Sequence, residues 1–216
     1  MSNRARTRIL LADDHSVVLQ GLQRILDRPE FEVVAAVRDG RALVESAVAL
    51  KPDVIVADIS MPLLNGIDAM RQLHQLHSKM KVIFLSMHPE AIYAVEALKA
   101  GASGYLTKSA DDEELISAIR RVLAGKSYVT PSLEESVMNR LHEPRARAHG
   151  PDDALTSRQR EVLQLLAEGK RAKEIAVLLD VSVRTVEFHK YRIMETLGIR
   201  TVAGLAAYAA RNRILG

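Results

Sequence analysis

Short, almost unbroken apolar runs in the first half of the chain end in polar or charged residues, and this pattern limits what the chain can build. Arg8–Ala12 (RILLA) is followed by Asp13 and Asp14, and Asp53–Ala57 (DVIVA) by Asp58. Val82–Ser86 (VIFLS) closes on Ser86, and Ser103–Leu106 is followed two residues later by Lys108. Phe31–Val37 is a fifth run. Continuous apolar strands of this kind belong to parallel sheets covered on both faces. Amphipathic stretches near residues 15–27, 40–49, 65–76, 89–100 and 111–124 separate the runs. Pro29 and Pro52 stand before strands, Gly66 follows a loop, and Gly101 closes a helix. Five strand–helix units predict a doubly wound α/β sheet of five parallel strands, flavodoxin-like with order 2-1-3-4-5. Its ligand chemistry lies at the carboxyl ends of the strands.

That topology sets the first, third, fourth and fifth strands side by side, so Asp13, Asp14, Asp58, Ser86 and Lys108 converge on one mouth. Taken singly, an aspartate after a strand is most often a turn former or cap, and a lysine a solvated charge. Their joint occurrence at four strand ends carries the functional reading. Three neighbouring carboxylates repel one another unless a cation neutralises them, and an all-oxygen donor set suits Mg²⁺. One carboxylate can then act as nucleophile towards a phosphoryl group, with Lys108 and the Ser86 hydroxyl on the phosphoryl oxygens.

The runs LLADDH, DVIVADISMPLLNG, VIFLSMH and GASGYLTKS together resemble the receiver domain of two-component response regulators over residues 8–124. The resemblance implies Asp58 as phospho-acceptor, Asp14 as direct Mg²⁺ ligand, Asp13 as a ligand through water, and the Ser60 carbonyl as the third protein ligand. It gives Ser86 and Lys108 the phosphate-contacting roles and Tyr105 the aromatic switch position. Phosphorylation is expected to draw Ser86 inward and let Tyr105 turn in behind it. Ser109 departs from the proline common after the lysine, and His88 and Ser60 flank the acceptor site.

At 216 residues the chain suits two modest domains. The absence of cysteine excludes a disulfide scaffold and a thiolate metal site and fits a reducing cytoplasm. No run approaches the roughly 18 apolar residues of a membrane span, and Met1–Arg8 lacks the apolar stretch of a signal peptide. The expectation is a cytoplasmic protein without membrane contact. Net charge is +3; residues 1–128 hold 16 basic and 16 acidic residues, whereas residues 152–216 hold 11 and 8.

Domain limits are expected at 1–127 for the receiver, 128–153 for a linker and 154–216 for an output domain. The linker carries Pro131, Pro144, Gly150 and Pro151, with a short helix possible over Ser132–Leu141 and a loose second half, Arg145–Asp153. Beyond it, helical patterns near 157–168, 171–179, 183–197 and 201–213 predict an all-α, four-helix unit. Thr156 and Gln159 form a capping box, and Asp180-Val181-Ser182 makes a turn. The helix from Val183 buries Val186, Ile193 and Leu197 and shows Phe188 and Tyr191 outward among charges. Exposed aromatics there fit contact with DNA bases.

The segment from LTSRQREV to ETLGIRT closely resembles the LuxR-type helix-turn-helix domain, which with the receiver implies a NarL/FixJ-class response regulator. By resemblance, Glu187, Phe188 and Tyr191 face bases, Lys173, Thr185, Lys190 and Arg192 meet phosphates, and Arg184 adds a further DNA contact. Asp180 and Glu195-Thr196 depart from the usual residues. The implied partners are a sensor histidine kinase, promoter duplex DNA and a second copy after phosphorylation. Val202, Leu205, Ala206 and Ala209 are offered either for pairing or for the domain's own core. The unphosphorylated receiver is expected either to cover the recognition helix or to act only as a tether.

The chain is not expected to be an enzyme beyond its own phosphotransfer. A phosphohydrolase with an aspartate nucleophile would need a second acid where Ser60 stands. The remaining alternative is a phosphorylation-independent DNA-binding regulator whose receiver answers a protein partner or ligand.

Overall fold

The computed structural model describes residues 6–76, 80–87, 89–142, 155–212 and 214. Strands β1 (Thr7–Ala12), β2 (Phe31–Val37), β3 (Val54–Ala57), β4 (Lys81–Ser86) and β5 (Gly104–Thr107) alternate with α1 (Ser16–Ile25), α2 (Gly40–Leu50), α3 (Gly66–Leu76), α4 (Ala91–Lys99) and α5 (Asp112–Leu123). All strand pairs are parallel. Because successive side chains point to opposite faces, the central strands fill two cores. Leu10, Ala12, Ile55, Ala57, Phe84 and Tyr105 pack with Leu43 of α2, Met70 and Leu73 of α3 and Ala94 of α4. Ile9, Leu11, Val54, Val56, Ile83, Leu85 and Leu106 pack with Leu19 and Leu22 of α1 and Leu115, Ile119 and Val122 of α5.

The sheet has six strands rather than five, in order 2-1-3-4-5-6. Tyr128–Val129 forms β6, in register with Gly104 and Tyr105 of β5. An open β5 edge would leave backbone donors and acceptors without partners, and β6 supplies them. Arg121 stacks 5.3 Å over the Tyr128 ring, and the Tyr128 hydroxyl donates to Glu114 at 3.1 Å. Helix α6 (Pro131–His142) follows, with Pro131 at the first position, where a missing N–H does no harm. Its buried Leu133 and Val137 join the core that holds Tyr105 and α4. The stretch expected to open a linker thus continues the receiver's own packing. The expected loose segment Arg145–Asp153 lies outside the described residues.

The C-terminal part folds as α7 (Ser157–Ala167), α8 (Ala172–Leu178), α9 (Val183–Leu197) and α10 (Val202–Arg211). Thr156 and Gln159 make the reciprocal capping box, Ser182 caps α9, and Gly198 ends it in the left-handed region at φ 65°. Asp180, in the turn before α9, has φ 49°, a conformation aspartate tolerates through its short polar side chain. Val162, Leu163, Leu166, Ile175, Val186, Ile193, Leu205 and Ala209 form one core. Of the stripe offered for pairing, Leu205 and Ala209 are therefore spent in that core, while Val202 is exposed. No helix among the described residues is long and apolar enough to cross a membrane.

Candidate functional site

Strand register assembles the pocket. Ala12 pairs with Ala57, so the next residues, Asp13 and Asp58, lie adjacent, and the Asp58 N–H donates to the Ala12 carbonyl at 2.8 Å. Ser86 pairs with Thr107, which sets Lys108 beside it, its N–H donating to the Ser86 carbonyl at 2.8 Å. Gly66 begins α3 against the acceptor's backbone, where a Cβ would fall 2.2 Å from the Asp58 carbonyl oxygen.

The buried Lys108 ammonium lies 2.6 Å from Asp13 Oδ2 and 2.7 Å from Asp58 Oδ2. The other Asp58 oxygen, Oδ1, accepts from the Ile59 N–H at 2.7 Å, and the Ser60 amide also bonds the carboxylate. Burial pushes the Asp58 carboxyl above its ordinary range; the bond and charge of Lys108 oppose this, and Asp13 adds to it. For Lys108, burial favours the neutral amine, but its bonds to Asp13 and Asp58 outweigh it and leave the ammonium held above its ordinary value.

Asp13, Asp14, His15 and Asp58 each offer a donor atom within 4.8 Å of the others. Three carboxylates with one imidazole fit a divalent cation, and the oxygens among them fit Mg²⁺. Asp14 is the most exposed of the three carboxylates, its side chain 37% exposed, and the more exposed His15 places Nδ1 2.8 Å from its Oδ1. His15 was not singled out from the sequence, although it adjoins the acidic pair.

Tyr105 is fully buried and bonded to Ser86, and burial pushes its phenol up to about 12. It lies inward beside Ser86. Leu133 and Val137 of α6 share its core. His88 lies outside the described residues.

The receiver meets the output domain on α7. Gln164 donates to the Met61 carbonyl at 2.9 Å and accepts from the Asn65 N–H at 2.8 Å, and Glu168 accepts from the Leu63 N–H at 2.9 Å. Arg160 pairs with Asp68 and Arg41 with Glu161, each at 2.8 Å. Sequence reading missed this contact. Its trace is a polar row, Arg160, Glu161, Gln164 and Glu168, at helical spacing on α7.

Helix α9 stays open in this docked arrangement, with Phe188 60% and Tyr191 69% exposed; of the two alternatives, the receiver does not cover it here. Lys173, Arg184, Glu187 and Arg192 are exposed, and Thr185 and Lys190 partly so. Lys190 pairs with Glu187, Arg192 with Glu195 at 2.7 Å, and Thr185 with the Ser182 cap. Both basic side chains are therefore paired with a neighbouring acid in this structure.

Residues 9–120 match the model of the response regulator receiver domain, and residues 153–209 match that of bacterial regulatory proteins of the luxR family. The oxygen regulatory protein NreC of Staphylococcus haemolyticus is 36% identical over 96% of this chain and 99% of that protein. A LuxR-family two-component response regulator from Aurantimonas is similar in structure, with TM-score 0.61 and 34% identity over 64% of this chain and 100% of that one. The RcsB response regulator of Salmonella typhimurium, described for its DNA interaction, gives TM-score 0.58 at 26% identity over 95% and 98% of the two chains.

Proposed function

The chain belongs to the two-component response regulators that join a receiver to a LuxR-type DNA-binding domain, and on that premise we propose that Asp58 is the phospho-acceptor through which a sensor histidine kinase controls its DNA binding. The observation that carries this is the single buried ammonium of Lys108 shared by Asp13 and Asp58 at adjoining strand ends. An Asp58 oxygen bonds the phosphorus of the kinase's phosphohistidine; the N–P bond breaks, and its electron pair stays on the imidazole. Lys108 then turns to the new phosphoryl oxygens, and the Ser86 hydroxyl donates to another. Asp13, Asp14, Asp58 and the Ser60 carbonyl would hold Mg²⁺, which supplies charge neutralisation to the transferring group.

The receiver body runs from the N-terminal strand through α6, and the output domain from residue 154 onward. Recognition rests on α9, with Glu187, Phe188 and Tyr191 towards bases, Arg184 as a further DNA contact, and Thr185, Lys190 and Arg192 with Lys173 of α8 towards phosphates. A pair of such domains reads a two-fold operator, so phosphorylation acts by promoting a dimer. The cytoplasm, where kinase domain and promoter are both present, is the place of action. Incubation with acetyl phosphate and Mg²⁺ labels the wild-type chain and leaves Asp58→Asn unlabelled; undiminished labelling of the variant would overturn the assignment.

A further inference from the structure

The output domain holds the loop that follows the acceptor. The Gln164 amide grips both ends of residues 61–65, donating to the Met61 carbonyl and accepting from the Asn65 N–H, while Glu168 takes the Leu63 N–H between them. Gln164 Nε2 also donates to Glu168 Oε1 at 2.9 Å, so the two side chains act as one bracket. Leu63 itself sits at φ 67°, a left-handed conformation unfavourable for leucine. Its side chain packs against the output-domain core. A strained residue persists only where its surroundings over-determine it, and here two domains do so.

The bracket is close to the chemistry. The chain runs from Asp58 through Ile59 and Ser60 directly into Met61. The Gly66 N–H closes the loop onto the Ile59 carbonyl at 2.8 Å. In the bracketed position Ile59 donates to Asp58 Oδ1, and Lys108 holds Oδ2. Both carboxylate oxygens are therefore hydrogen-bonded, and each bond lowers that oxygen's nucleophilicity towards phosphorus. A loop held still keeps the Ile59 N–H where it is.

We propose that Gln164 and Glu168, on the output domain, are positioning residues for the receiver's own phosphorylation, holding the 61–65 loop so that phosphoryl transfer to Asp58 is slowed. The proposal rests on Asp58 being the acceptor. Linkage applies to the equilibrium and not to the rate: any factor by which docking disfavours the phosphorylated form is the factor by which a phosphoryl group on Asp58 loosens the docking of α7.

The test uses the full-length chain with Mg²⁺ and acetyl phosphate, which transfers its phosphoryl group to the carboxylate as acetate leaves. Gln164→Ala and Glu168→Ala keep good helix formers in α7. They are expected to phosphorylate faster by about fivefold or more, in the rate at saturating donor rather than in its apparent affinity. Before any donor is added, amides 59–66 exchange hydrogen faster than in wild type. Arg41→Ala breaks an interface ion pair that does not touch the loop, and it leaves both readouts near wild type. Unchanged or slower phosphorylation in the Gln164 and Glu168 variants overturns the proposal. Equal acceleration by Arg41→Ala also overturns it, because domain separation rather than bracing would then set the rate. Asp58→Asn run in parallel separates the two readings: a labelled variant removes the acceptor assignment itself, whereas an unlabelled one confines any failure to the bracket.

Discussion

Burial works against a charge on Asp58, and the bond and charge of Lys108 oppose that effect. Truncating Lys108 to alanine leaves Asp13 and Asp58 facing each other inside the protein with no counter-charge. Loss of one partner of a buried pair costs about 3 kcal/mol or more, so Lys108→Ala should lower receiver stability by that order in denaturant unfolding. Adding Mg²⁺ should narrow the difference between variant and wild type, because a divalent cation replaces the missing positive charge. Equal stability with and without Mg²⁺ would count against a cation among these carboxylates. The pocket residues were legible in the sequence because each stands at a strand end, and register follows from local pattern. The packing of Tyr105 in one core with Leu133 and Val137 was not legible, since these lie more than 25 residues away in the chain.

Helix α6 shows the same limit at the scale of elements. Its proline-led start and short apolar content read as a linker helix, yet Leu133 and Val137 are buried against the receiver. Leu133→Ala should therefore destabilise the receiver by about 2 to 3 kcal/mol, the usual effect of emptying a buried leucine site. A change near zero would mean that α6 is a detachable tether. In α9, periodicity identified the inward Val186 and Ile193 and the outward Phe188 and Tyr191 correctly. In α10, the same periodicity could not tell pairing from core, and Leu205 and Ala209 belong to the core.

His189 on α9 gives a pH-dependent test of that domain. Burial, with the nearby Arg158 charge, lowers its pKa below 6.5. The unfolded chain thus takes up the proton first as pH falls. Stability from this residue is complete above pH 6.5 and declines below it towards the folded-state pKa. Thermal unfolding at pH 7.5 and 5.5 should show a smaller acid loss for His189→Gln than for wild type; identical losses would contradict this.

For the whole molecule, the two folds could be read from the sequence and their mutual arrangement could not. Interdomain contact depends on surfaces whose partners lie about 100 residues apart, and Arg160, Gln164 and Glu168 look like an ordinary solvated face until the receiver is placed on them. That arrangement leaves Phe188 and Tyr191 of the recognition helix exposed. The proposed control runs through Asp58, the loop after it, and the pairing of phosphorylated copies. The most direct test is fluorescence anisotropy with DNA duplexes selected on the full-length protein from a random pool. Wild type and Asp58→Asn are each titrated with and without acetyl phosphate and Mg²⁺. The account predicts that acetyl phosphate tightens wild-type binding by about tenfold and leaves Asp58→Asn unmoved. Equal affinities for wild type in the two conditions, or an equal response from the variant, would contradict it.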